Sequence, residues 1–197
     1  MKGLTQMEME QLRKAMKKAQ DKDRYEHTLA VAYTSACLAT LNDVDAEKAL
    51  RAGLLHDCAK CIPTEQKLSL CKQYGIAVSA IEKRNPSLLH AKLGAVLAKE
   101  KYGETDVDVL NAIKNHTTGR KNMSMLEKIV FIADYIEPNR SKAQNLTLIR
   151  KLAFSDIDAA LVKILEDTLK YLEGTGTEID PNTKETLDFY VLGNQQK

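Results

Sequence analysis

The residues with the greatest chemical potential in this chain are its four histidines and two of its aspartates. In chain order they are His27, His56-Asp57, His90, His116 and Asp134. Neutral imidazoles and carboxylates are ligands for divalent iron, manganese, cobalt or zinc. One such histidine alone reads as a hydrogen-bonded core or surface residue. Four of them, each at the inward or terminal position of a separate helical segment, read together as a metal centre. Asp134 sits in the run Ile129-Val-Phe-Ile-Ala-Asp-Tyr-Ile136. A carboxylate buried there needs a pair, hydrogen bonds or a cation, and its apolar neighbours make a basic partner hard to supply locally.

The elements that must position these groups all read as helices. Thr5-x-x-Glu8, Ser124-x-x-Glu127 and Asn182-x-x-Glu185 look like capping boxes, each opening a helical segment. His27, Val31, Thr34, Leu38 and Leu41 step by four, three, four and three, one stripe along a helix. Asp45 caps the next helix, which runs through Leu50, Leu54 and Leu55 to His56-Asp57. Pro63-Thr64 opens a short helix that Gly75 ends. After the interruption at Pro86, a helix over 88–102 is closed by Gly103 and carries His90 near its start. Another spans 106–116, with Val109, Ile113 and His116 on one face. The segment 124–136 is a strongly apolar helix halted before Pro138. A long amphipathic helix over 155–173, the 174–180 loop and a last helix from Asn182 complete the chain. No segment alternates as a strand does, and no repeat or linker appears. The expectation is one all-α domain over 1–197, with the motif-bearing core at about 24–140 and C-terminal helices over 145–193.

The bulk numbers agree. A chain of 197 residues with 44% hydrophobic and 28% charged residues is of ordinary soluble composition. Its 29 basic and 27 acidic residues nearly cancel, so no global field points to nucleic acid. With no apolar run for a signal peptide or a membrane span, the expected location is the cytoplasm, with no membrane partner. Cys37, Cys58, Cys61 and Cys71 then read as reduced thiols. Cys58 and Cys61 form C-x-x-C, but no second pair follows at zinc-finger spacing, so the pattern is half a site.

The order H…HD…D resembles the HD-domain metal-dependent phosphohydrolase superfamily. That resemblance implies an HD-domain helical bundle in which His27, His56, Asp57 and Asp134 hold a divalent metal. Three runs narrow it further: Leu54-Leu-His-Asp-Cys-Ala-Lys60, His116-Thr-Thr-Gly119 and Ile132-Ala-Asp-Tyr-Ile-Glu-Pro-Asn-Arg140. They look like the YqeK family of bacterial hydrolases that split diadenosine tetraphosphate symmetrically. The implied cofactor is one or two divalent ions, iron first, with manganese or cobalt as substitutes.

Within that resemblance His90 and His116 have two jobs open to them: ligands of a second ion that shares Asp57, or contacts to substrate phosphate. Phosphoanhydride hydrolysis needs a nucleophile at neutral pH and neutralised phosphoryl oxygens, and a bound divalent ion serves both needs. Asp57 and Lys60 are the catalytic candidates. Lys60, three residues after Asp57, faces the same mouth if the helical turn continues, and its ammonium can meet a phosphate as a point charge. Thr117 offers a hydroxyl beside His116, and Arg140 a bidentate phosphate clamp. The partner expected is a small-molecule nucleotide, and a homodimer is compatible with the sequence.

Other readings stay open at this level. A nucleotidase or a guanosine tetraphosphate hydrolase of the same superfamily is the nearest. The latter typically carries H-D-x-x-E-D, where this chain has His56-Asp-Cys-Ala-Lys-Cys61. Cyclic-dinucleotide phosphodiesterases of the superfamily carry G-Y-P, which is absent here. A di-iron oxygenase could use the same six ligands, but Lys60 and the H-T-T-G and E-P-x-R runs favour a phosphate-bearing substrate. A non-catalytic sensor would not need the full ligand set.

Overall fold

The structure is a computed structural model that describes residues 7–194, and among them every regular element is helical. In order these are α1 (Met9–Ala19), α2 (Lys22–Leu41), α3 (Ala46–Leu55), α4 (Thr64–Gln73), α5 (Ala80–Arg84), a 3-10 turn at Pro86–Leu88 and α6 (Leu89–Tyr102). Then come α7 (Val107–Asn115), α8 (Met125–Ile136), α9 (Leu146–Ala153), α10 (Ile157–Gly174) and α11 (Pro181–Asn194). The all-α helical bundle expected from the sequence is the fold found.

The local signals place most boundaries. Asp45 accepts from the amides of Glu47 and Lys48 at the head of α3, and Ser124 and Glu127 close a capping box at the head of α8. Gly103 ends α6 with φ +71°, a left-handed position that glycine takes without a Cβ penalty. Four expectations need correction. Thr5 lies outside the described residues, and Glu8 with Gln11 opens α1 instead. Asn182 does not cap the last helix; Asp180 accepts from the Asn182 amide, and Glu185 pairs with Lys121. Helix α10 starts at Ile157, two residues later than the expected 155, with Asp156 as its cap. Leu41, the last member of the α2 stripe, is exposed because the helix ends there.

Helix α2 lies at the centre, packed on α3 along its length and on α8, while α7 joins α3, α6 and α8. Val31, Leu38, Leu55, Leu93, Ile113, Ile129 and Ile132 belong to the core they share. The tightest approach is at Gly53. A Cβ there would lie 2.6 Å from Ala32 Cα, and that neighbour is backbone, with no side chain to swing away. The absent side chain lets α3 sit against α2, which brings His56 to His27. We therefore expect Gly53→Ala to cost about 3 kcal/mol, the upper end for an overpacked core. Chemical denaturation reads this directly. A change below about 0.5 kcal/mol, typical of a surface substitution, would show that the helices part freely.

A second anchor fixes the end of α7. Buried Glu127, besides capping α8, accepts from Asn115 Nδ2 at 2.8 Å and from both arms of Arg120 at 2.7 and 2.6 Å. Burial pushes its carboxyl up, but Arg120 and the Ser124 amide outweigh it and hold it below the usual range. The turn carrying His116 is thereby held to α8.

Candidate metal centre

Five helices deliver six side chains to one point. His27 comes from α2, His56 is the C-cap of α3 and Asp57 follows it. His90 lies in the first turn of α6, His116 is the C-cap of α7, and Asp134 sits in the last turn of α8. Among these, His56, Asp57, His90 and His116 are buried.

The ring orientations follow from where the chain sends its carbonyls. His56 Nδ1 donates to Gly53 O at 2.6 Å and His116 Nδ1 to Ile113 O at 2.7 Å. His90 Nδ1 donates in the same way to Ser87 O, again three residues back. His27 Nδ1 donates to Glu137 Oε1 at 3.3 Å. An acceptor opposite Nδ1 keeps the proton there, so in each neutral ring Nε2 carries a bare lone pair. This is the tautomer a metal ligand needs, held by the partner that such ligands ordinarily have.

Those lone pairs converge on carboxylates. His27 Nε2 is 3.1 Å from Asp134 Oδ1 and 4.0 Å from Asp57 Oδ2. His56 Nε2 is 3.5 Å from Asp57 Oδ2. On the other oxygen, His90 Nε2 is 3.2 Å and His116 Nε2 3.6 Å from Asp57 Oδ1, and the two Nε2 atoms are 3.1 Å apart. His27 Nε2, His56 Nε2 and Asp57 Oδ1 are buried without a hydrogen-bond partner among the described residues. Acceptors aimed at acceptors in a buried space need a cation between them. Two ligand sets answer: His27, His56 and Asp134, and His56, Asp57 and His116, with the candidate atoms of each set within 4.8 Å of one another. Nitrogen and carboxylate oxygen are the donors a divalent first-row ion takes.

The electrostatics point the same way. Burial pushes the His90 ring's pKa down to about 4, helped by His116 and Lys60, so the ring is neutral at pH 7 and ready to ligate. For Asp57, burial favours the acid, but the close approach of His56, His116 and His90 prevails and holds the carboxyl well below its usual range. Asp134 behaves likewise: burial works against the nearby imidazoles, His27 first, and the carboxylate form wins.

Around this centre the other sequence candidates take definite places. The chain leaves the α-helix at Leu55, yet its turns continue through Cys58 N to Leu55 O and Lys60 N to Asp57 O. Lys60 therefore does reach the mouth, its Nζ 3.4 Å from His90 Nε2. Thr117 Oγ1 lies 3.2 Å from His116 Nε2 and 3.3 Å from His90 Nε2. Gly119 is more than a helix stop: with φ +67°, it lets Thr186 of α11 approach to where its Cβ would stand, at 2.8 Å. Glu178, in the 174–180 loop, is held by Arg84 at 2.7 Å.

Arg140 corrects the reading of Asp134. Its Nη2 donates to Asp134 O at 2.7 Å and to Oδ1 at 3.0 Å, so a basic partner is supplied after all. The break at Pro138 turns the chain back, with Arg140 N on Glu137 O, and returns the guanidinium to the helix it has just left. Three further residues escaped sequence reasoning. Arg24 Nη1 meets Asp57 Oδ2 at 2.8 Å, Gln20 Nε2 holds Asp57 O at 3.2 Å, and Glu137 orients His27. Arg24 precedes His27 by three residues and so shares its helical face, a signal that was available. Gln20 carried none. A cavity of about 370 Å³ lined by Arg24, His27, Glu137, Arg140 and Lys142 opens onto the centre. The C-x-x-C pair takes no part. Cys58 Sγ donates to Gly94 O at 3.4 Å with its thiol pushed up to about 12 by burial, and Cys61 is exposed and free.

The HD domain family model matches residues 24–139, the stretch that holds all six converging side chains. The chain belongs to the HD-domain family. This HD-domain chain is 35% identical to the symmetrical bis(5'-nucleosyl)-tetraphosphatase of Bacillus subtilis (strain 168), over 95% of its own length and 100% of that protein's. It is 39% identical to the protein of the same name from Halalkalibacterium halodurans, over 86% of this chain and 89% of that one. Among solved structures it is similar to one described as a predicted HD superfamily hydrolase involved in NAD metabolism from Clostridium acetobutylicum. The TM-score is 0.92 at 39% identity, covering 95% of this chain and 99% of that one. The two tetraphosphatases are of the YqeK type that the three sequence runs resemble. HD-domain membership implies dependence on a divalent metal, and this donor cage could hold one.

Proposed function

We propose that this chain hydrolyses dinucleoside polyphosphates, splitting diadenosine tetraphosphate symmetrically into two molecules of ADP. The observation that carries the reading is the set of four Nε2 lone pairs turned on Asp57 and Asp134, with Lys60 beside His90. Likeness over nearly the whole chain to two tetraphosphatases supports the choice of substrate.

In this reading His27, His56, Asp57 and Asp134 would hold one ion, and His90 and His116 would help to hold a second. Iron is the preferred metal, with manganese and cobalt as substitutes, since all three accept mixed imidazole and carboxylate ligands. When bound, the metal supplies Lewis acidity and a water nucleophile at neutral pH. The chain's own groups do the rest. Lys60 grips a phosphate flanking the scissile bond, and Thr117 offers it a hydroxyl. Arg140 and Arg24, now paired with Asp134 and Asp57, stand at the mouth as phosphate clamps. The bond between the second and third phosphates breaks, the water oxygen stays on one ADP, and the other leaves as ADP. We place the reaction in the cytoplasm, where nucleotides are made and where four free thiols are at home.

Diadenosine tetraphosphate, guanosine tetraphosphate and a nucleoside monophosphate offered in parallel to metal-loaded protein test the reading. Turnover of the first alone supports it, and preference for either of the others moves the chain to a sister activity. Oxygen uptake during turnover would point to a di-iron oxygenase. For the second ion, His116→Ala should lose about one metal equivalent per chain, read by elemental analysis. Full metal content with weakened turnover would instead assign His90 and His116 to phosphate.

A further inference from the structure

Lys67 lies on α4, outside the ligand cage, and is 6% exposed. Its Nζ donates to the backbone carbonyl of Lys60 at 3.0 Å. Among the described residues its ammonium forms no ion pair with a carboxylate. Taking a charge out of water without an opposite charge is costly, and here the residue whose carbonyl it holds is itself a cation. Burial and the Lys60 ammonium both push the Lys67 pKa down, while Asp57 and Cys61 oppose them. Two lysines are thus held together beside a carboxylate cage, in an arrangement that disfavours the free protein. A large polyanion is the ligand that reverses the sign of that repulsion.

The backbone shows how the pair is built. After α3 the chain turns tightly through Asp57, Cys58 and Ala59 to Lys60, then restarts at Pro63, whose carbonyl receives the Lys67 amide. Lys67 is therefore folded back under that turn. Its side chain closes the segment from Lys60 to Lys67 at the point from which Lys60 projects to His90.

We infer that Lys67 is a positioning residue for Lys60: it pins the Lys60 carbonyl and so aims the Lys60 ammonium at the metal centre. This rests on the role given to Lys60 under the proposed function. A structural lysine and a positioning lysine differ in what replacement does. Lys67→Met keeps the length and removes the buried charge, so the melting temperature should rise by about 3 °C or more. The same change should lower kcat/KM for diadenosine tetraphosphate about tenfold, the worth of one well-placed charge-assisted hydrogen bond. Because Lys67 acts through Lys60, adding Lys67→Met to Lys60→Ala should cost little more than Lys60→Ala alone.

The test is that double-mutant cycle on metal-loaded protein, run beside calorimetric binding of inorganic pyrophosphate. Pyrophosphate affinity should fall about tenfold in Lys67→Met with metal content unchanged. Unchanged turnover and pyrophosphate binding in Lys67→Met, fully additive losses in the cycle, or a lowered melting temperature would each overturn the inference. If the wild-type protein fails to turn over diadenosine tetraphosphate, the substrate reading fails, and the pyrophosphate arm still judges Lys67.

Discussion

Asp57→Ala is expected to abolish bound metal and to lower kcat/KM by about a thousandfold or more. Asp57 is the one carboxylate that faces both halves of the cage, with Oδ2 toward His27 and His56 and Oδ1 toward His90 and His116. Removing it takes the carboxylate from the His56, Asp57 and His116 set and leaves His27 and His56 with Asp134 alone. Metal ions contribute several kcal/mol of transition-state stabilisation, and each 1.36 kcal/mol is a factor of ten. The substitution also strands Arg24, whose Nη1 rests on Oδ2 at 2.8 Å. An ion held by these residues would tie several helices together, so added metal should raise the melting temperature of the wild type and leave that of the variant unmoved. Full metal content with normal turnover in Asp57→Ala would remove Asp57 from the centre.

Lys60→Ala separates grip from ligation. Lys60 Nζ stands 3.4 Å from His90 Nε2, close enough to serve phosphate at the centre without being able to ligate a cation itself. Its loss should lower kcat/KM about a hundredfold, the size seen when one preorganised charge donor is removed from an active site. Metal stoichiometry should stay at the wild-type value. Loss of metal together with activity would mean that Lys60 shapes the cage rather than the substrate's phosphates.

Much of this arrangement was legible from residue types and spacing. The segments bearing His27, His56-Asp57, His90, His116 and Asp134 are helical, and capping by Asp45, Ser124 and Gly103 falls where local chemistry puts it. Those signals are short-range, and tertiary packing had no reason to override them. What escaped detection depends on contacts across the fold. The proton on each histidine's Nδ1 is fixed by a carbonyl three residues back or by Glu137, and neither follows from the presence of a histidine. Arg140 returns to Asp134 because a turn after Pro138 reverses the chain, so a partner six residues away was discounted. The helix at Ala80–Arg84 was missed although Ser79 and Glu82 form a full capping box, since five residues carry too little periodicity. Nothing in the sequence separates Lys67 from the other lysines, and only burial sets it apart.

Symmetrical hydrolysis at this centre is tested by product analysis in isotopically labelled water. Attack at an inner phosphorus, flanked by the cations at the mouth, makes ADP the leaving group, a nucleoside diphosphate whose developing charge those cations can offset. Metal-loaded protein given diadenosine tetraphosphate in heavy-oxygen water should yield ADP as the sole nucleotide. One ADP of each pair should carry a single heavy oxygen on its terminal phosphate. Formation of ATP and AMP would place the attack at an outer phosphorus and contradict the account.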